Sequence, residues 1–271
     1  RHADTLDSLF NPRSVAIAGA GSVGIGQAFL TCLLDSDYKG KIYPISPKGG
    51  EVMGLPVYSS VTDLPDAVDL VIACVPARLA IQLVQDCAAK GVKAVSFYTA
   101  GFGERGDEQG QDLEKDLLRI ARAGGVRILG PNCVGVYHPK VGLSFSSDNP
   151  RESGPAAFIC QSGGNAIYTV RAAACRGIRF TKAVSYGNAL DIDESELLMY
   201  FGHDSETEVV AAYIEGVKDG NRFYRTLREV AAVKPVIVLK AGRTEAGARA
   251  AASHTSALAG SEKVWDRLLH Q

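Results

Sequence analysis

Hydrophobic residues along this chain come in short unbroken runs, separated by longer stretches in which they recur three or four positions apart. The runs at residues 15–18, 42–45, 70–75, 94–97 and 126–129 read as strands, and the lack of polar alternation suits strands covered on both faces. Between them, residues 26–34, 78–89 and 108–123 read as helices. The last sets Leu113, Leu117, Ile120 and Ala121 on one stripe opposite a charged face. Such regular alternation predicts α/β architecture with a parallel, doubly wound sheet.

The pattern breaks at residues 142–155, a passage rich in Gly, Ser, Asn and Pro that contains Ser146-Ser-Asp-Asn-Pro150. Such a passage marks a domain boundary, giving one domain over residues 1–145 and a second over 146–271. The series then restarts. Strands are expected at 156–160, 181–185, 209–214 and 236–239, and helices at 165–175, 194–201 and 222–232. This second unit has the size of a flavodoxin-like domain, and a further helix at 261–270 closes the chain.

Composition narrows the classes of partner. The chain has 271 residues, 46% hydrophobic and 22% charged, which suits a soluble globular protein with two domains. A net charge of −1 gives no electrostatic reason for a nucleic-acid or membrane partner. No apolar run is long enough to span a bilayer. The six cysteines contain no C-x-x-C pair, so reduced thiols and a cytoplasmic setting are expected. No metal site is expected.

Three loops carry candidate chemistry. Gly19-Ala-Gly-Ser-Val-Gly24 follows the first strand and precedes a helix, the arrangement that cradles a phosphate on helix N–H groups. A dinucleotide site of the NAD type needs a carboxylate at the end of the second strand. Here that strand ends Ile45-Ser-Pro-Lys48, and a lysine suits an additional phosphate, as in NADP or the phosphorylated ADP portion of coenzyme A. Gln161-Ser-Gly-Gly164 is a second strand-to-helix turn. It reads as an anion site or as a plain turn, and it lacks the G-x-S-x-G of a nucleophile elbow because position 160 is Cys. Tyr213-Ile-Glu-Gly216 ends another strand with Glu215, either a crevice carboxylate or a surface residue at a turn. Ser185-Tyr-Gly-Asn188 and the aspartates after it form a third strand-end turn, where structural and functional readings stay inseparable.

The segment Lys240 to Gly260 sets a single histidine, His254, among small residues, with two arginines suited to phosphate oxygens. It reads either as a histidine displayed for chemistry on an anionic substrate or as an ordinary surface histidine.

Together these motifs resemble the α-type segment of ADP-forming acyl-CoA synthetases, relatives of the succinyl-CoA synthetase α subunit. The resemblance rests on Arg13-Ser-Val-Ala-Ile17 with its glycine loop, Gly40-Lys-Ile-Tyr-Pro-Ile-Ser-Pro-Lys48 and Val68-Asp-Leu-Val-Ile72. It continues through Ser96-Phe-Tyr-Thr-Ala-Gly-Phe102, Arg127-Ile-Leu-Gly-Pro-Asn-Cys-Val-Gly135 and the loops of the second half.

The resemblance implies a Rossmann-like CoA-binding domain followed by a flavodoxin-like domain of succinyl-CoA-ligase type. It implies that Gly19, Gly21, Ser22, Val23, Gly24, Lys48, Tyr98, Thr99 and Ala100 hold CoA, and that Ser162, Gly163 and Gly164 hold phosphate. His254 would carry a phosphoryl group with Glu215 supporting it. ADP or ATP with Mg would sit on an ATP-grasp β-type subunit or domain, without which the chain completes half a reaction. Acyl-CoA is the implied substrate, and a homo-oligomer is compatible. The alternative is a non-catalytic acyl-CoA-sensing module, such as the regulatory part of a fused protein acetyltransferase.

Overall fold

The computed structural model describes residues 3–242 together with Trp265. After a short helix α1 (Ala3–Phe10), the first domain runs β1 (Ser14–Ala18), α2 (Ile25–Asp35), β2 (Lys41–Ile45), a small antiparallel pair β3 (Glu51–Val52) and β4 (Leu55–Pro56), and β5 (Leu70–Ala73). It continues with α3 (Ala80–Lys90), β6 (Ala94–Phe97), α4 (Glu108–Ala123) and β7 (Arg127–Leu129). Its five-stranded parallel sheet has the order β2-β1-β5-β6-β7. All residues of β1, β5 and β6 are buried, which explains their unbroken apolar runs. The chain reverses its direction of travel at β1, so the loops after β1 and β5 diverge and leave a crevice between them.

The second domain contains β8 (Gly135–Tyr137), β9 (Ala156–Cys160), α5 (Gly163–Ala174), β10 (Phe180–Ser185) and α6 (Glu194–His203). β11 (Val209–Ile214), α7 (Gly220–Ala231) and β12 (Val236–Lys240) complete its described part. The sheet order is β12-β11-β9-β10-β8, parallel except for β8. Here the reversal falls at β9, so the crevice opens between the loops after β9 and β11. Among the described residues no helix is long and apolar enough to cross a membrane.

The two sheets share one hydrophobic core, in which Leu9, Phe10, Val15 and Ile17 join Phe158, Val184 and Phe201. Phe10 of α1 stacks on Tyr200 of α6 with ring centroids 4.6 Å apart. Arg127 reaches across from β7 to hold Glu196 through two bonds of 2.8 and 2.7 Å, and Asp191 at 2.7 Å. The boundary expected at residues 145 and 146 does not coincide with the crossing between sheets. β8 already pairs with β10, so the crossing falls at residues 130–134 and the 142–155 loop lies within the second unit. A three-residue strand led by glycine gives too short an apolar run to register as a strand.

Residues 187–192 seat against that crossing: Asn188 N–H donates to Pro131 O (2.9 Å), Leu190 N–H to Gly130 O (2.9 Å) and Ile192 N–H to Ile128 O (3.1 Å). Gly187 has φ +53°, and a Cβ there would lie 2.1 Å from Pro131 O. Gly187→Ala therefore adds left-handed strain to a backbone clash and is expected to destabilise by roughly 3 kcal/mol. Chemical denaturation reads this directly, and an unchanged midpoint would contradict the close approach.

Candidate functional site

The loop expected to cradle a phosphate leaves β1 at Gly19. The N–H groups of Gly19 and Ala20 both donate to Ile45 O, at 2.9 and 3.0 Å, which ties the loop to the end of β2. Helix α2 then starts so close beneath it that a Cβ on Gly26 would lie 2.3 Å from Gly19 O. Gly24 begins α2 with no side-chain cap. By contrast Asp107, Ser162, Asp193 and Asp219 each cap their own helix. The first N–H groups of α2 thus have no side-chain cap among the described residues. Val23 is 80% exposed at the tip of the loop.

Lys48 stands exposed on the turn after β2, where Gly49 N–H bonds to Ser46 O at 3.0 Å. The structure thus places it beside the anchor of the glycine loop, with no carboxylate among residues 46–48. Tyr98, Thr99 and Ala100 follow β6. Tyr98 packs edge-on against Phe29 of α2 at 5.7 Å, and Thr99 donates its hydroxyl to Val75 O. Because β5 lies between β1 and β6, the loop after β5 completes this rim, and Ala77 lies in contact range of Gly101. Sequence reasoning did not assign the β5 loop. Only strand order, which a single sequence does not display, puts it beside the other two.

The second crevice is organised by Gln161. Its buried side-chain oxygen accepts from Glu215 N–H (2.8 Å), Gly216 N–H (3.1 Å) and the Tyr186 hydroxyl (3.3 Å). One side chain therefore ties the start of α5 to the peptide carrying Glu215. Lys240 Nζ holds the other side of that peptide by donating to Glu215 O at 2.7 Å. Glu215 is only 8% exposed, so it is not a surface residue at a turn. Burial and the Glu215 carboxylate raise the Tyr213 phenol above its ordinary pKa, opposed by a hydrogen bond to Asn165 in the first turn of α5.

Ser162 caps α5 by accepting from Asn165 N–H at 3.3 Å, and among the described residues nothing lies within 4 Å of the Cβ position of Gly164. Burial pushes the neighbouring Cys160 thiol up to about 12, so it supplies no nucleophile near neutral pH. His254 lies outside the described residues, as do both arginines of its segment. Two residues here, Gln161 as a clamp and Lys240 as a buried cation, were legible in sequence only as parts of motifs.

Two family models match the chain: a CoA binding domain over residues 13–139, and a succinyl-CoA ligase like flavodoxin domain over residues 153–271. The chain is 44% identical to acetate–CoA ligase [ADP-forming] I subunit alpha of Pyrococcus furiosus, covering 98% of this chain and 59% of the relative. It is 36% identical to 4-hydroxybutyrate–CoA ligase [ADP-forming] of Nitrosopumilus maritimus, covering 98% and 39%. Among solved structures it is similar to dinucleotide forming acetyl-coenzyme A synthetase 1 of Ca. Korarchaeum cryptofilum in complex with phosphate and ADP. The TM-score is 0.90 at 40% identity, covering 97% of this chain and 57% of that one. The chain thus spans less than two thirds of the length of these relatives. With both domains matched in order, the chain belongs to the ADP-forming acyl-CoA synthetases, as their α-type segment: a CoA-binding domain followed by a succinyl-CoA-ligase-like flavodoxin domain.

Proposed function

We propose that this chain is the CoA-binding and phosphoryl-carrying part of an ADP-forming acyl-CoA synthetase, acting with an ATP-grasp subunit or domain. Together they would interconvert acyl-CoA, phosphate and ADP with free acid, CoA and ATP. The observation that carries the reading is the Gln161 clamp, which holds the Glu215 peptide against the start of α5 at the switch point of the second sheet. Helix N–H groups and a carboxylate at one crevice suit a phosphoryl group carried on an imidazole.

The first domain's residues fit CoA. The uncapped start of α2 and the Lys48 ammonium would receive the phosphates of its ADP portion, while Val23 and Tyr98 offer exposed apolar surface. In the second domain, a phosphate held at Ser162–Gly164 would attack the thioester carbonyl, breaking the C–S bond and releasing CoA. The His254 imidazole would then attack phosphorus, with the carboxylic acid leaving as its carboxylate. Transfer of the phosphoryl group from His254 to ADP on the partner would restore the neutral ring. Glu215 would fix the tautomer of His254 and offset the charge that develops on it.

The acyl-CoA-sensing reading is not favoured, since the named relatives are ligases and Glu215 and His254 are both present. A cytoplasmic setting belongs to the same proposal.

Calorimetric titration with CoA, NAD and NADP tests the cofactor. CoA is expected to bind and the dinucleotides not; tight NADP binding without CoA would overturn the assignment. Lys48→Glu is expected to weaken CoA by about 1.5–3 kcal/mol, the range for a hydrogen bond to a charged group. An unchanged CoA affinity would remove Lys48 from the site.

A further inference from the structure

We infer that Glu104 and Asn188 form a positioning bridge that fixes the loop after β6 against the loop after β10, and so sets the CoA site relative to the phosphoryl site. The inference rests on the proposed CoA-binding role of the first domain. The two residues lie 84 positions apart and belong to different domains.

The Glu104 carboxylate gathers one end of the bridge. It accepts the N–H groups of Gly101 and Phe102, the latter at 3.2 Å, directly after Tyr98, Thr99 and Ala100. Its Oε2 also accepts from the side-chain amide of Asn188. Glu114 Oε1 takes a second bond from the same amide at 3.2 Å. Asn188 is 5% exposed, and its Oδ1 has no hydrogen-bond partner among the described residues. A buried acceptor left without a partner costs stability, so the amide is not arranged for its own satisfaction. Its two donors point into the first domain.

From Asn188 the connection continues into the second crevice. The adjoining Gly187 N–H donates to Gln161 O at 3.2 Å, and the Gln161 side chain holds the Glu215 peptide. Lys218 secures the same loop by donating to Ala189 O at 2.9 Å. Contiguous bonds therefore run from Gly101 to Glu215.

Acyl transfer needs this link more than either half-site does. A thioester carbon delivered by one domain must approach a phosphate oxygen held by the other to within about 3–3.5 Å, and a misplacement of about 1 Å can cost on the order of a hundredfold in rate. Neither CoA binding alone nor phosphorylation of His254 by ATP requires that match.

The test uses the complete α-type chain with its ATP-grasp partner, and compares Asn188→Asp, Asn188→Ala and the double variant Glu104→Gln with Asn188→Asp. Asn188→Asp sets a third carboxylate against Glu104 and Glu114. Acyl-CoA-dependent ATP formation is expected to lose about 10- to 100-fold in kcat, as for a displaced reacting pair. Affinity for CoA and ATP-dependent labelling of His254 should stay within about twofold, because each site keeps its own contacts. In the double variant the new amide donates to the new carboxylate, and kcat should recover part of the loss, Glu114 still facing the new carboxylate. Asn188→Ala removes the bridge without adding a charge should Asn188→Asp not fold, and leaves the Glu104 bonds to Gly101 and Phe102 in place.

An unchanged kcat in the single variants overturns the bridge. So does a loss that the double variant fails to recover, or a parallel fall of CoA affinity and labelling, which marks a purely structural role. An unsubstituted enzyme that neither binds CoA nor labels overturns the functional reading itself, a result distinct from these.

Discussion

His254→Ala is expected to remove acyl-CoA-dependent ATP formation altogether while leaving the affinity for CoA unchanged. The reason is chemical. In the proposed reaction the first domain, with its glycine loop and Lys48, delivers acyl-CoA, whereas ADP belongs to a partner. A group must carry phosphoryl between them, and the His254 imidazole can attack phosphorus at neutral pH without prior deprotonation. Alanine at that position leaves the two half reactions unconnected. Steady-state assays of ATP formation alongside calorimetric titration with CoA separate the effects. Residual turnover near that of the unsubstituted enzyme would remove His254 from the mechanism, and a parallel loss of CoA binding would make the substitution uninformative about chemistry and point to a structural role.

Glu215→Gln is expected to lower kcat by about 10² to 10⁴, the usual worth of a positioned acid–base partner. Glutamine has nearly the same volume and leaves untouched the backbone bonds from Glu215 and Gly216 to Gln161 and from Lys240 to the Glu215 carbonyl. Only the negative charge is lost. A neutral amide can still accept a hydrogen bond from an imidazole, but it does not offset the charge that develops when the ring takes up phosphoryl. CoA affinity should not move, since Glu215 belongs to the second sheet. A fall in kcat of less than about threefold, set against the expected range, would leave Glu215 as a buried residue without a role in transfer.

The strands of both sheets were legible because parallel strands covered on both faces cannot hide their composition. Ala94–Phe97 and Ala156–Cys160, buried throughout, fall where the apolar runs predict them, as does Val209–Ile214, which is buried on one face and half-buried on the other. The glycine loops were equally plain, since a strand, a turn of small residues and a helix are consecutive in sequence. What stayed hidden depends on residues far apart. β8 is three residues long, and its partner β10 lies more than forty positions downstream.

Helix α1 owes its place to the stacking of Phe10 on Tyr200, which no local pattern announces. The bond between Glu104 and Asn188 spans 84 positions, so one sequence gives each residue only a local reading, as a loop acid and a turn former. Lys48 was readable for the opposite reason: it directly follows the second strand of a consecutive strand–loop–helix–strand unit, so chain order alone assigns it to the turn after β2. Gln161 was visible as part of a motif, but its grip on the Glu215 peptide needs β9 and β11 to be neighbours.

The central claim is that one chain couples a CoA site to a histidine that carries phosphoryl. The most direct test incubates the full α-type chain and its ATP-grasp partner with γ-labelled ATP, and maps the label by mass spectrometry under conditions that preserve phosphohistidine. The account predicts a base-stable, acid-labile phosphate on His254 that acid plus CoA discharges, forming acyl-CoA. Label on another residue, no label, or label that acid and CoA do not discharge would contradict it.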